Sequence, residues 1–326
     1  MELRPLGSTF IEVSPIGLGL AALCRSRYLT LSHHQDTGAS VSKSRVFQVL
    51  DAAWDAGVRF FDTGRAQGDA ESLLAQWIRD RHIPPSDIGV ASKWGYVRAS
   101  KLGVEESGRY LRDHSASNLK EQWKESSDIL GAHLQLYQIR SATFASAVLE
   151  DRDVLEFLAS LKEDGVHVGL TVRGPRQEEL IERSLEIEIE GERLFETIQA
   201  SWNLMERSAA PALHEAHRQG LGIIVKEALA NGRLTDRNDD PRYANEIDTL
   251  RREAERFGTT PDAIALAAAL AQPWCDVVLS GAARVDHLES NMKAAEIELD
   301  DEAERHLMSL ERSPEVYWDE RETLWE

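Results

Sequence analysis

The sequence is short of several features that would each point to a particular class of protein. It has two cysteines in 326 residues, Cys24 and Cys275, too few and too far apart for a disulfide framework or a cysteine metal site. The most apolar stretch, residues 263–271, is shorter than the ~20 residues that span a bilayer. Lysine and arginine number 37 against 56 acidic residues, so the net charge is −19. Because such a surface repels phosphate backbones and no membrane span is present, we expect no nucleic-acid or membrane partner. The low cysteine content favours a cytoplasmic protein.

What the chain does contain is a regular alternation of short apolar runs and amphipathic segments. Eight runs have the length and composition of buried strands: residues 13–20, 58–63, 88–93, 134–139, 166–171, 197–202, 221–225 and 276–279. A segment with helical spacing of apolar residues follows each run, which is typical of parallel strands joined by helical crossovers. A count of eight predicts a single (β/α)8 TIM barrel over residues 1–326.

An open doubly wound sheet is the main structural alternative to the barrel. No G-x-G-x-x-G occurs at a strand-to-helix turn, and this weakens the alternative. Residues 3–6 and 10–13 predict a short N-terminal β-hairpin that closes the barrel floor. The segments 24–42 and 94–113 are predicted as long loops.

Four polar residues are predicted to meet at the barrel mouth. Asp62, Lys93 and Arg140 come at the ends of the second, third and fourth predicted strands, and Gln67 follows in the loop after the second. Functional groups of such barrels lie at the C-terminal ends of the strands. A lysine buried beside an aspartate loses proton affinity by desolvation and regains it from the carboxylate, which is useful in a catalytic site. The alternative is a structural ion pair that supports the barrel mouth.

Two segments carry a family resemblance. Residues 61–71 read F-D-T-G-R-A-Q-G-D-A-E, and residues 137–141 read Y-Q-I-R-S. They resemble the aldo-keto reductase segments F-D-T-A-x-x-Y-G-x-x-E and Y-Q-x-H-S. The resemblance implies that Asp62 and Lys93 match the family's aspartate and lysine. It also implies that Gln67 replaces the proton-donating tyrosine and that Arg140 replaces the histidine that orients the carbonyl.

Further motifs extend the resemblance over nearly the whole chain and imply a site for NADP(H). They lie at residues 14–19, 92–95, 169–171, 199–203, 226–234, 280–284 and 290–291. By resemblance, Thr171 and Gln199 contact the nicotinamide amide, and Lys226 stands where a tyrosine stacks on the ring, with Leu229 in the same motif. The segment that binds the cofactor phosphate and adenine is represented by Ser280, Gly281, Arg284 and Asn291. Arg284 is the candidate for the 2′-phosphate.

The departures from the family pattern leave several hypotheses open. Gln67 has no proton to release, and Arg140, whose pKa lies above about 12, is a fixed cation. One hypothesis is a divergent NADP(H)-binding oxidoreductase acting on a carbonyl, in which Arg140 binds an anionic group of a small-molecule substrate and Lys93 is the acid. The others are a non-redox lyase or isomerase that uses Lys93, and an NADPH-binding pseudoenzyme. Four residues in the predicted loops are candidates for a substitute proton donor: Tyr28, His33, His34 and Tyr96.

Three further features each have a functional and a structural interpretation. Arg65 either adds positive charge to the barrel mouth or forms a surface ion pair. The polar C-terminal tail carries Trp318 and Trp325, which predicts that the tail docks on the barrel. The remaining histidines show no metal-ligand spacing and are interpreted as surface or capping residues: His82, His114, His133, His167, His214, His217 and His287. We predict no metal site.

Overall fold

The computed structural model describes residues 1–24, 42–99 and 110–324, and eight parallel strands in these residues close into a barrel. The strands are β1 (Ile16–Gly19), β2 (Phe60–Asp62), β3 (Gly89–Trp94), β4 (Leu136–Ala142), β5 (His167–Val172), β6 (Thr197–Ser201), β7 (Gly222–Lys226) and β8 (Val277–Ser280). Each strand pairs with the next in the chain, and β8 pairs with β1 through Val278 and Ile16. The predicted fold class is therefore confirmed.

Twelve α-helices lie within the described residues, most of them on the outside of the barrel. They are α1 (Leu20–Cys24), α2 (Lys43–Asp55), α3 (Ala70–Asp80), α4 (Ala116–Leu130), α5 (Arg152–Glu163), α6 (Gln177–Leu185), α7 (Ala210–Arg218), α8 (Ala244–Phe257), α9 (Pro261–Leu270), α10 (Val285–Met292), α11 (Asp301–Met308) and α12 (Pro314–Thr323). Side-chain caps begin several of them; the Ser115 hydroxyl, for example, accepts from Asn118 N at 3.3 Å at the start of α4. No helix in the described part of the chain is both long and apolar enough to cross a bilayer.

The floor of the barrel is closed by the floor hairpin, in which Arg4–Pro5 pairs with Glu12–Val13. Ser8 N donates to Gly220 O at 2.8 Å, directly before β7. Gly7, at the turn, has φ +55°, and an added Cβ would lie 2.2 Å from Gly222 N. Only glycine fits this position, because a side chain would be strained and would also collide with backbone. The predicted hairpin is thus confirmed.

A second hairpin lies at the opposite end of the barrel, where the sequence predicts only a loop over residues 94–113. This mouth hairpin pairs Tyr96–Arg98 with Tyr110–Arg112, in a register that places Tyr96 opposite Arg112. Val97 is buried while Arg98 is exposed, so the strand follows a two-residue alternation that is too short to stand out in the sequence. In the segment 24–42, also predicted as a loop, Cys24 ends α1, and residues 25–41 lie outside the described part of the chain.

The C-terminal segment docks on the barrel, as predicted. In α12, Tyr317 and Trp318 are buried, and Asn203 Nδ2 donates to the Tyr317 hydroxyl at 3.0 Å. Trp325 lies outside the described residues. The docking brings Arg321 and Glu322 to the barrel mouth.

Candidate active site

A cavity of about 630 Å³ opens among the C-terminal ends of the barrel strands. Its volume falls within the ~300–1,000 Å³ typical of small-molecule sites. The four predicted catalytic residues line it: Asp62, Gln67, Lys93 and Arg140. So do seven of the eight predicted cofactor residues: Thr171, Gln199, Lys226, Leu229, Ser280, Gly281 and Asn291. The barrel therefore brings together in one cavity residues of which some are more than 200 positions apart in the chain.

Lys93 and Asp62 form a buried ion pair at the base of the cavity. The Lys93 ammonium donates to both carboxylate oxygens of Asp62, and both residues are 4% exposed. Gln199 Nε2 also donates to Asp62 Oδ1, at 3.0 Å. Burial lowers the pKa of Lys93, Asp62 raises it, and the charge of Arg140 lowers it further, so that the net pKa is below the usual range. Within the described residues, Lys93 is the one ammonium group that pairs with the Asp62 carboxylate.

Gln67 is held next to this pair by the turn that follows β2. Arg65 N donates to Lys93 O at 3.1 Å, and Gln67 N donates to Gly64 O at 3.0 Å, so the turn is fixed to β3. The Gln67 side chain is 2% exposed, and no group in the described part of the chain donates a hydrogen bond to its Oε1. A buried amide oxygen without a donor is costly, so this atom is suited to accept a hydrogen bond from a ligand. It cannot supply a proton.

Arg140 presents a cation to the cavity from the end of β4. Its guanidinium lies 5.1 Å from the centre of the Tyr96 ring, and among the described residues Nη1 has no hydrogen-bond partner. Within the described residues no carboxylate lies within 4.0 Å of it. The Arg140 carbonyl accepts from His114 Nε2 at 2.9 Å, which fixes the backbone at this point. A guanidinium that lacks a nearby carboxylate is suited to binding an anion through charge-assisted hydrogen bonds.

Comparison with known proteins agrees with this architecture. The model of the aldo/keto reductase family matches residues 15–311. The chain belongs to the aldo/keto reductase family. It is 24% identical to an aldo-keto reductase of Strobilurus tenacellus, over 96% of this chain and 93% of that protein. It is 27% identical to a putative aryl-alcohol dehydrogenase of Schizosaccharomyces pombe, over 81% of this chain and 91% of that one.

Among solved structures, the holo form of an aldo-keto reductase from Bacillus halodurans is similar in fold. The TM-score is 0.73 at 21% identity, and the match covers 96% of this chain and 97% of that one. Aldo-keto reductases are oxidoreductases that act on small molecules and generally bind NAD(P)H. Gln67 and Arg140 lie within the two segments that resemble the family's motifs.

Lys226 faces the cavity from the side of the barrel opposite Lys93, because β7 lies four strands from β3. Its ammonium donates to Ser201 Oγ at 2.7 Å. Burial lowers the pKa of Lys226 to about 8, against the raising effect of the Glu227 carboxylate, and Arg321 lowers it further. This aldo-keto reductase therefore has a titratable amine where the resemblance places a ring that stacks on nicotinamide.

Glu227, directly after Lys226, is paired with the C-terminal helix. The Arg321 guanidinium donates to both carboxylate oxygens of Glu227, with Nε at 3.0 Å from Oε2. Ser201 Oγ also donates to Oε2, at 2.9 Å. Burial would raise the pKa of Glu227, but the charges of Arg321 and Lys226 hold it well below its usual range. No local sequence signal identifies this pair, because its members are 94 residues apart.

Two of the residues predicted to bind the cofactor phosphate and adenine, Ser280 and Asn291, are hydrogen-bonded to each other. In the amide orientation that satisfies both ends of Asn291, Ser280 Oγ donates to Oδ1 at 2.8 Å and Nδ2 donates to Asp262 Oδ2 at 2.8 Å. These bonds fix the loop after β8. A Cβ added to Gly281 would meet no atom within 4 Å, so the cavity is open at this point. Thr171 Oγ1 accepts from Ser141 N at 2.7 Å.

Two basic residues predicted near the site lie outside the cavity. Arg65 contacts Glu71 Oε2 at 2.5 Å and Glu125 Oε2 at 2.7 Å, so the ion-pair interpretation describes it. Arg284 pairs with Asp286 at 2.9 Å and lines a separate surface hollow together with Arg45. Arg284 is thus the one predicted cofactor residue that the main cavity does not include.

One of the four candidate substitute proton donors lies within the described residues, and the other three do not. Tyr96 lines the cavity, whereas Tyr28, His33 and His34 lie outside the described residues. The interpretation of His114 as a surface or capping residue was wrong, because the ring is buried between Trp94 and Tyr96. Burial lowers the pKa of His114 to about 4. In the described residues, no group of three or more histidine, cysteine or acidic side chains could hold a metal ion.

Proposed function

We propose that this aldo-keto reductase uses NADPH to reduce the carbonyl group of a small anionic substrate, such as an aldehyde or ketone that also carries a carboxylate. The observation that carries the proposal is Arg140, a cation with an unbonded Nη1 in the same cavity as Lys93 and Gln67. The charges that line the cavity support an anionic ligand. Six cationic side chains face three carboxylates there, in a chain whose net charge is −19: Lys93, Arg140, Arg173, Lys226, Arg237 and Arg321 against Asp62, Glu227 and Glu322.

The residues present fit a nicotinamide cofactor. Thr171 and Gln199 offer a hydroxyl and an amide on adjacent strands, and the open space at Gly281 leaves room for a phosphate near the loop after β8. When bound, the reduced nicotinamide supplies the hydride. Arg140 then holds the anionic group of the substrate, and Lys93 stabilises negative charge that develops on the carbonyl oxygen.

A preference for NADPH over NADH is supported by the surface hollow between α2 and α10. Arg45 Nε donates to Ala283 O at 3.1 Å, while its Nη2 has no hydrogen-bond partner in residues 1–24, 42–99 and 110–324. Arg284 lies in the same hollow, beside the loop that follows β8. Two guanidinium groups near the expected adenine end suit the 2′-phosphate. We expect Arg45→Met to weaken NADPH binding by about tenfold or more and to leave NADH binding within about threefold.

The test of substrate class compares para-carboxybenzaldehyde with its methyl ester, in which an uncharged ester replaces the carboxylate. In the presence of NADPH, kcat/KM for the acid should exceed that for the ester by about tenfold or more, because a charge-assisted hydrogen bond contributes ~1.5–3 kcal/mol. Arg140→Met should abolish the difference. Arg98→Met, at an exposed position of the mouth hairpin, is the matched control and should preserve it. Equal rates for acid and ester would contradict the anionic substrate, and NADPH binding without any turnover would favour a pseudoenzyme.

A further inference from the structure

Four groups of the cavity lie at the ends of β2, β3 and β4 or in the segments that follow them, and three of these are chemically unsuited to be the acid. Tyr110 also lines the cavity, but it lies opposite Arg98, farther along the mouth hairpin from β3 than Tyr96. Gln67 has no acidic proton, and the guanidinium of Arg140 does not ionise near neutral pH. Loss of a proton from Lys93 would leave the buried Asp62 carboxylate, 4% exposed, without its counter-charge. Leaving one member of a buried ion pair uncompensated is strongly unfavourable. The fourth group is the hydroxyl of Tyr96.

Two other titratable groups are excluded by position or by charge. Lys226 extends from β7, on the far side of the barrel from Lys93, and its ammonium is bonded to Ser201. The burial that lowers the pKa of His114 to about 4 keeps this ring neutral, and its Nε2 proton is committed to the Arg140 carbonyl. A neutral imidazole with its proton engaged is a poor acid.

Tyr96 comes three residues after Lys93, on the first strand of the mouth hairpin, and lines the same cavity. Its backbone carbonyl accepts from Gln122 Nε2 at 2.8 Å, which fixes the hairpin to α4. The ring contacts His114 edge-on, with centroids 6.5 Å apart, and the Arg140 guanidinium lies 5.1 Å from its centre. These contacts hold the ring from two sides.

We propose that Tyr96 is the proton donor of this enzyme, replacing the tyrosine whose position is occupied by Gln67. The inference rests on the proposed carbonyl reduction. As the carbonyl carbon accepts the hydride, the carbonyl oxygen takes the proton of the Tyr96 hydroxyl, and the product is an alcohol. Tyr96 is left as a tyrosinate, which water then reprotonates. No electrons are required beyond the two of the hydride.

The surroundings of the hydroxyl favour this step. Burial would raise the pKa of Tyr96, but hydrogen bonding to the Arg112 guanidinium, the charge of Arg112, a bond with Ser141 and the charge of Arg140 outweigh it, so the net pKa is below the usual value of 10. The charged and titratable groups that face the ring are thus Arg112 from the mouth hairpin, Arg140 from β4, and neutral His114. Arg112 and Arg140 support Tyr96 as the resemblance has a lysine support the family's tyrosine.

The first test measures single-turnover reduction of para-carboxybenzaldehyde by Tyr96→Phe loaded with NADPH. The rate should fall by about 100-fold or more, since general acid catalysis contributes ~10²–10⁴-fold. NADPH affinity should stay within about threefold of wild type, because the ring and its packing are retained. Tyr110→Phe removes the other tyrosine hydroxyl that lines the cavity, and this comparison variant should lose less than about threefold. A Tyr96→Phe enzyme with more than half of the wild-type rate would overturn the proposal.

The second test needs no cofactor. Absorbance titration of tyrosinate in the free protein should show a step from Tyr96 with a pKa below the usual value, and this step should be missing from Tyr96→Phe. In Arg112→Met the step should move to higher pH, and the alkaline limb of the wild-type rate profile should move with it. Persistence of the step in Tyr96→Phe would contradict the assignment. If wild type binds NADPH and reduces no carbonyl at all, the proposed function itself fails, and the role of Tyr96 with it.

Discussion

Lys226 gives the cavity a charge at a position where the family resemblance implies an aromatic ring. Where the resemblance places a stacking ring on the nicotinamide, the structure has an amine whose pKa is lowered by burial to about 8. Below that pH Lys226 is a cation and above it a neutral amine. The oxidised nicotinamide ring is positively charged, whereas the reduced ring is not. Lys226 should therefore repel NADP⁺ more than NADPH at neutral pH.

This repulsion predicts a pH-dependent preference for the reduced cofactor. The Kd for NADP⁺ relative to that for NADPH should fall by at least about fivefold as pH rises from 7 to 9, because unit charges a few ångströms apart repel by ~1 kcal/mol or more. Lys226→Met should show a low, pH-independent ratio. Isothermal titration with both cofactors measures it. A ratio that does not change with pH in wild type would show that Lys226 does not sense the ring.

Restoring the family's residues at the two altered positions should broaden the substrate range. Gln67 is buried next to Lys93, so a tyrosine hydroxyl there would gain the support of the ammonium group. The double variant Gln67→Tyr, Arg140→His should reduce uncharged benzaldehyde about tenfold faster than wild type and should lose its preference for the carboxylated substrate. NADPH binding and thermal unfolding serve as controls for an intact cavity. No gain in a folded variant that binds NADPH would sink this idea.

At the scale of elements, a buried ion pair helps to fix the C-terminal helix to the barrel. Arg321 is 4% exposed, and Glu227, its partner, follows β7 with φ +59°, a conformation that is uncommon for a side chain larger than glycine. Arg321→Met should lower the free energy of unfolding by about 3 kcal/mol, because it leaves a buried carboxylate unpaired. Urea denaturation measures the loss. Arg152→Met, which removes an exposed pair with Glu156, is the control and should leave the midpoint unchanged.

The stability that the Arg321–Glu227 ion pair contributes should depend on pH, because the pKa of Glu227 is lowered in the folded protein. A carboxyl group whose pKa is lower in the folded state stabilises the fold above its unfolded pKa. The contribution is lost as pH falls below about 4. The difference in stability between wild type and Arg321→Met should therefore shrink in acid. A difference that is constant from pH 7 to pH 3 would contradict the ion-pair explanation.

The elements that follow local patterns could be predicted from the sequence, and those that depend on distant contacts could not. The buried strands stand out as apolar runs, and the ends of β2, β3 and β4 locate Asp62, Lys93 and Arg140. The mouth hairpin has a strand of three residues in each arm, too short for a periodic signal. From the sequence, its first residue, Tyr96, is only one of several candidate proton donors. The two arginines that lower its pKa, Arg112 and Arg140, are brought to it by pairing across the hairpin and the barrel.

Charge partners were the least predictable part of the site. Arg65 occurs within the catalytic motif, yet it turns away from the cavity because Glu71 on α3 and Glu125 on α4 together satisfy it. Arg321 occurs in a polar tail with no motif, yet it reaches the cavity because Tyr317 and Trp318 anchor its helix. In both cases the outcome is decided by which distant carboxylate the fold brings within reach, and a linear sequence does not contain that information in any local form.

At the scale of the whole molecule, closure of the barrel should make residues 1–326 unfold as one unit. The last barrel strand, β8, pairs with the first, β1, and the floor hairpin contacts the start of β7, so no part of the sheet is complete without both ends of the chain. We predict one calorimetric transition whose van 't Hoff and calorimetric enthalpies agree. Two separate transitions, or a folded fragment that lacks β7 and β8, would contradict the prediction of a single domain.

The proposed function depends most directly on the cofactor, and titration of the wild-type protein with NADPH tests it. The fluorescence of the reduced nicotinamide reports binding without any assumption about the substrate. We predict saturable binding with a micromolar Kd, weakened by Arg45→Met and little changed by Tyr96→Phe. Absence of binding at millimolar NADPH would mean that the chain has the barrel of an aldo-keto reductase without its chemistry, and it would contradict the proposed function.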